Sequence, residues 1–175
     1  MEVYDAERIK YKPEKVKILF VGEAPAIGAR RFYLGNTNLF RVIKKAFAEC
    51  YGDFASTEEF LELFQSLGCY IDYLSLEAVD KNDIPSRKQA RASGISPLSE
   101  RLKLYQPEIV IILMKELQKQ VSAAVEISGI NSIKKLEAVP YPAGSDTNKK
   151  NCIIAIVGIL RNADIFEDWQ AFYPG

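Results

Sequence analysis

The residue types best suited to chemistry gather in one loop. Glu23 lies just past the apolar run Val16-Lys17-Ile18-Leu19-Phe20-Val21, which reads as a buried strand stopping at Gly22. The loop continues as Gly22-Glu23-Ala24-Pro25-Ala26-Ile27-Gly28-Ala29-Arg30-Arg31-Phe32-Tyr33-Leu34-Gly35-Asn36. It sets one carboxylate among glycines, two arginines, two aromatics and an amide. A second loop, Pro140-Tyr141-Pro142-Ala143-Gly144-Ser145, precedes the last helical segment. Ligands of an open parallel sheet bind beyond the carboxyl ends of its strands, where both loops belong. The chain has no histidine, so Ser-His-Asp triads, Cys-His pairs and His-ligated metals are excluded. Cys50, Cys69 and Cys152 are scattered and form no CxxC, too few for a structural zinc or a four-cysteine cluster. They read as reduced core packing. Carboxylates, amides, hydroxyls and backbone must do any chemistry, with no metal and no cofactor expected.

Several strings carry a resemblance. VKILFVGEAPA resembles the first motif of the uracil-DNA glycosylase superfamily, a strand ending in Gly-x-x-Pro-[Gly/Ala]. Glu in second place is similar to the branch called family 4. ARRFYLGN resembles that branch's stretch in which an aromatic stacks on the extruded base, whereas the final Ala of GEAPA and the Gly28-Ala29-Arg30 spacing are closer to family 5. YPAGS stands where the second motif would, with Tyr141 in place of its usual histidine. The order of elements matches over roughly residues 16–162, and the specific matches lie in the two loops.

The resemblance implies a three-layer α/β/α fold with a central, mostly parallel sheet. It implies a DNA glycosylase of base excision repair, hydrolysing the N-glycosidic bond of a deaminated base, of uracil or hypoxanthine type, flipped from DNA. Such a reaction makes an oxocarbenium-like sugar, which a carboxylate can stabilise while orienting water. The base leaves its stack and needs a ring platform and polar groups at its edge. In this reading Glu23 activates water, and Asn36 serves the water or the base. Gly22, Ala24, Pro25, Phe32, Tyr33 and Asp72 form the base site. Asp72 or Tyr73 falls where family 4 has a strand Asn. Tyr141, Pro142, Gly144 and Ser145 meet the DNA backbone.

Each residue also has a structural reading. Glu23 could be a solvated loop carboxylate or a cap, Phe32 and Tyr33 core rings, Asn36 a turn former, and Pro-Tyr-Pro a stiff connector. The alternative function is a non-catalytic nucleic-acid or nucleotide-binding module of the same fold. A small phosphorylated ligand is the weakest reading, since the loop has neither Gly-Lys-Ser/Thr nor GxGxxG.

The surrounding pattern must position these groups. Leu39, Ile43, Ala46, Phe47 and Cys50 recur at helical spacing after Thr37 or Asn38, either a fair N-cap. Ser56 and Glu59 form a capping box for a helix carrying Phe60, Leu63, Phe64 and Leu67, with Gly68 ending it. Residues 69–74 read as a strand, and the polar stretch DKNDIPSRKQARASG as a loop. A helix begins at Ser96-Pro97 and ends at Pro107. Residues 109–114 are apolar on both faces, as in a central parallel strand. A helix over about 115–127, closed by Gly129, a short strand at 136–139 and a last helix from about Asp146 complete the chain. The run 152–160 also fits a strand.

With 175 residues, 48% hydrophobic and 26% charged, the sequence fits one domain spanning 1–175. No apolar run is long enough for a membrane helix, and the N-terminus lacks the apolar centre of a signal peptide, so a cytoplasmic, non-membrane protein is expected; the resemblance implies DNA as the partner, and a monomer is expected. Cations and carboxylates balance at 23 each, yet they segregate. Between residues 24 and 48 the charges are Arg30, Arg31, Arg41, Lys44 and Lys45; between 49 and 64 they are Glu49, Asp53, Glu58, Glu59 and Glu62. With Lys149 and Lys150 the basic stretch suits phosphate contact, or else is a solvated helix face.

Overall fold

The computed structural model describes residues 3–163. Four strands form one all-parallel sheet in the order β2-β1-β3-β4: β1 Ile18–Gly22, β2 Cys69–Tyr73, β3 Ile109–Ile112 and β4 Lys135–Ala138. Every residue of β1 and β2 is buried. That is why both read as apolar runs without alternation. Ile18 pairs with Cys69 on one side and Ile109 on the other, so β1 is central.

Among the described residues six α-helices surround the sheet: α1 Val3–Lys10, α2 Asn38–Tyr51, α3 Thr57–Ser66, α4 Ile84–Tyr105, α5 Gln118–Ser128 and α6 Asp146–Asn162. α2 packs on α6, and α4 on α5. From β1 the chain crosses to β2 on one side and later reaches β3 on the other. Right-handed crossovers then put the two helix pairs on opposite faces. The fold is therefore three-layered. No helix among the described residues is long and apolar enough to cross a membrane.

Local signals explain most elements. Thr37 Oγ1 accepts from Phe40 N and starts α2, whose Phe40, Ile43, Ala46 and Phe47 face the core. Ser56 Oγ accepts from Glu59 N, while the Glu59 carboxylate accepts from Ala55 N, a reciprocal cap one residue earlier than the usual box. The core between α2, α3 and β1 is aromatic, with Phe20, Phe47, Phe60 and Phe64 in tilted or edge contact. The run 152–160 is helical and belongs to α6.

One expectation is corrected. The polar stretch 80–94 is not all loop, because α4 starts at Ile84, capped by Asp83, and Pro97 sits inside it rather than at its first position. Proline removes one intrahelical bond without ending the helix. The first turns carry little apolar periodicity because their inward face is Arg87, Ala90, Arg91 and Gly94. Gly94 is required by a close approach: a Cβ there would collide with the Leu74 carbonyl oxygen at the end of β2.

Candidate active site at the carboxyl edge of the sheet

The chain turns to opposite sides after β1 and β3, which opens a crevice at their carboxyl ends. A cavity of about 290 Å³ lies there. Gly22, Glu23 and Ala24 leave β1 into it, Tyr73 closes β2, Leu113 and Met114 follow β3, and Tyr141, Pro142 and Ala143 follow β4. Thr37 and Asn38, at the start of α2, complete its wall. Both motif loops thus border one cavity.

Glu23 is buried, at 8% exposure, and is held from α4. Its Oε1 accepts from Arg87 Nε at 2.8 Å, Arg91 Nε at 2.8 Å and Arg91 Nη2 at 2.5 Å. Among the described residues its Oε2 accepts only from Arg87 Nε, at 3.0 Å. Burial pushes the carboxyl pKa up, but the hydrogen bonds and charges of Arg87 and Arg91 outweigh it and hold the group below the ordinary glutamate value. Glu23 is therefore an anion at neutral pH, with Oε1 saturated and Oε2 able to accept from a water. It is neither a solvated loop carboxylate nor a helix cap.

Cations also stand at the mouth. Arg30 lines the cavity, as does Lys81 from the connection before α4. Lys81 Nζ donates to Tyr141 Oη at 3.4 Å and sits 5.7 Å from that ring's centre. At the strand end, a Cβ on Gly22 would lie 3.2 Å from the Tyr73 ring. Glycine there lets the ring lie close over the turn from β1.

Several expected assignments are corrected. Phe32 and Tyr33 do not face the cavity; they are 0% and 2% exposed. Tyr33 stacks on Tyr11 at 6.0 Å, its hydroxyl accepts from Ile71 N at 3.0 Å, and Phe32 packs edge-on against Tyr33 and Phe40. Neither ring has a free face for a base. Asn36 does not line the cavity either, since its Oδ1 accepts from Arg31 N at 2.8 Å and closes the turn. Arg31 is bound within its own loop, its Nη1 donating to the carbonyls of Ala26, Gly28 and Arg30. Asp72 is fully buried and points away from the lining, as alternation from Tyr73 requires. It accepts from Arg8 of α1 at 3.1 Å and Arg101 of α4 at 2.7 Å. Pro25 is buried outside the lining.

In the second loop, Ser145 Oγ accepts from Asn148 N and caps α6, while Gly144 takes φ +94 in the turn before it. Lys149 and Lys150 lie outside the cavity, in a groove between α2 and α6. Sequence reasoning missed Arg87, Arg91, Lys81, Thr37 and Asn38. The i, i+4 pair Arg87 and Arg91 was the available signal, since both must lie on one helix face.

The thiols are packing groups. Burial pushes Cys152 up to about 12 and Cys69 further, so neither is a thiolate at neutral pH. Among the described residues no three His, Cys, Asp or Glu side chains come together to hold a metal ion. Comparison of the chain with models of known protein families and with characterised protein sequences found no match.

Proposed function

We propose that the protein is a DNA glycosylase that accepts a flipped, deaminated base in the cavity and hydrolyses its N-glycosidic bond. The observation that carries this reading is an ionised, buried carboxylate in the wall of a cavity bordered by both motif loops. In it Glu23 Oε2 orients the attacking water, and the carboxylate charge faces the developing sugar cation. Tyr73 and Tyr141 replace Phe32 and Tyr33 as the rings that meet the base, because they are the aromatics lining the cavity. Arg30 and Lys81 take the flanking phosphates, with Lys149 and Lys150 beyond the mouth. Thr37 and Asn38 supply the polar edge contacts.

A specific observation also favours the second reading, a non-catalytic module that binds nucleic acid or a nucleotide. Two arginines hold Glu23 and keep it a weak base, and no histidine is present to steady a departing base. Single-turnover incubation with oligonucleotides carrying uracil, hypoxanthine, xanthine or a thymine mismatch separates the two. Alkali-labile abasic sites indicate the enzyme; tight binding without them indicates the module.

A further inference from the structure

Among the described residues β2 is an edge strand, and its outer side is met by side chains. Leu74 N donates to Gly22 O of β1 at 2.9 Å. Asp72 and Leu74 therefore turn their backbone groups toward β1, and Ile71 and Tyr73 turn theirs outward. Buried outward groups need partners, and each of these has one. Ile71 N donates to Tyr33 Oη at 3.0 Å, and Arg8 Nη2 reaches Ile71 O at 3.5 Å. Tyr73 N donates to Asp72 Oδ1 at 2.8 Å, and Arg101 Nη2 donates to Tyr73 O at 2.7 Å. Arg101 Nε donates to Asp72 Oδ2, also at 2.7 Å, and joins the two ends. One connected network thus holds both backbone groups of Tyr73.

Stability alone does not account for this arrangement. Asp72 is fully buried in the strand CYIDY, with Arg8 and Arg101 around it. Apolar side chains of similar volume commonly stabilise a fold as well as a buried ion network does. They could not take up an outward N–H and C=O. The residue so held is the one whose ring enters the cavity wall. That ring lies against the turn from β1, its Cδ1 and Cε1 3.2 and 3.3 Å from where a Cβ on Gly22 would stand. A small rotation of the Tyr73 backbone would swing the ring off this seat.

We infer that Asp72 and Arg101 are positioning residues, fixing the backbone of Tyr73 so that its ring stays over Gly22 in the cavity wall. Arg8 balances the charge of Asp72 from α1, and its bonds to Asp72 and Ile71 leave the two bonds to Tyr73 intact. Use of the ring as a platform for a base rests on the base-excision reading; its positioning does not.

Three variants of the full chain test the inference. Arg101→Met removes both bonds that Arg101 makes. Arg101→Lys keeps a charge against Asp72, and hence the fold, but loses the fork that spans Asp72 and Tyr73. Arg8→Met takes the other cation from Asp72 and leaves Tyr73 bonded. The first readout is made by NMR on the ligand-free protein, as the nuclear Overhauser contact between the Tyr73 ring, assigned with Tyr73→Phe, and the Gly22 α-protons. It should be strong in the unaltered chain and in Arg8→Met, and several-fold weaker in both Arg101 variants. The second readout is affinity for an oligonucleotide containing uracil. It should fall by roughly five-fold or more in Arg101→Lys, the lower end of what one stacked ring contributes, and stay level in Arg8→Met. An unchanged ring contact in Arg101→Lys would overturn the inference, as would equal losses in Arg101→Lys and Arg8→Met. If no protein binds the oligonucleotide while the ring contact weakens only in the Arg101 variants, the base-excision reading fails and the positioning role is supported.

Discussion

At the residue scale Glu23 is the group on which the proposed chemistry depends. Replacing it with glutamine keeps the shape but removes the charge proposed to orient water and face the sugar cation. Single-turnover cleavage should fall by ~10²–10⁴-fold. The same change leaves Arg87 and Arg91, only 28% and 18% exposed, without their counter-charge. Denaturant unfolding should therefore show a loss of about 1–3 kcal/mol at neutral pH. Because the folded carboxyl titrates below its ordinary value, its contribution is complete above the unfolded pKa of about 4.3 and is lost as pH falls through the lower folded value. The gap in stability between wild type and Glu23→Gln should accordingly close on acidification; a gap that widens would contradict the arginine clamp. Tyr33 gives a contrasting case. Tyr33→Phe removes the acceptor of the buried Ile71 N–H and should cost about 1–3 kcal/mol with cleavage unchanged. Loss of cleavage in the folded variant would return Tyr33 to the base site. Glu23 was legible because a strand end and a turn flank it. The fate of Phe32, Tyr33 and Asn36 was not, since a ring or amide in a loop serves core, turn and ligand equally well by type.

Among the elements, α4 decides whether the site exists. It delivers Arg87 and Arg91 to Glu23 and Arg101 to Asp72, so one helix neutralises the carboxylates beside β1 and on β2. This also explains why its first turns were illegible. A helix whose buried face is arginine, alanine and glycine shows no hydrophobic period, and Ser96-Pro97 offers a false start. Elements whose inward faces are apolar, such as β1, β3, α2 and α3, were readable in place because burial selects the pattern directly. The tight seat of α4 over β2 is testable. Gly94→Ala improves helix propensity, yet its Cβ meets the Leu74 carbonyl, so stability should fall by about 1–3 kcal/mol or more. Ala92→Gly on the exposed face of the same helix should cost only about 0.5–1 kcal/mol. Equal effects in chemical denaturation would mean that α4 does not sit against the end of β2.

At the scale of the whole molecule, a formally neutral chain sets cations at the cavity and along the groove between α2 and α6. Arg30 and Lys81 stand at the cavity mouth, and Arg41, Lys45, Lys149 and Lys150 along the adjoining groove. DNA affinity should fall steeply with added salt, and removing one contacting cation should lower the log–log slope by roughly 0.7–0.9. Lys81→Ala should show this change in titrations at several salt concentrations, whereas an unchanged slope would take Lys81 out of the interface. The three-layer sheet and the meeting of both loops at one edge followed from strand order, which apolar runs and switch-point topology made legible. The neutralisation of Glu23 depended on a contact between residues 64 and 68 positions apart, which no local pattern encodes. On the proposed reading this anion, in this cavity, drives base release. It is tested most directly by single-turnover incubation of wild type and Glu23→Gln with uracil- and hypoxanthine-containing oligonucleotides, followed by alkaline scission. Wild type should give scission at the deaminated base, reduced by ~10²–10⁴-fold in the variant. Bound oligonucleotide with no abasic site in either protein, or equal scission by both, would contradict it.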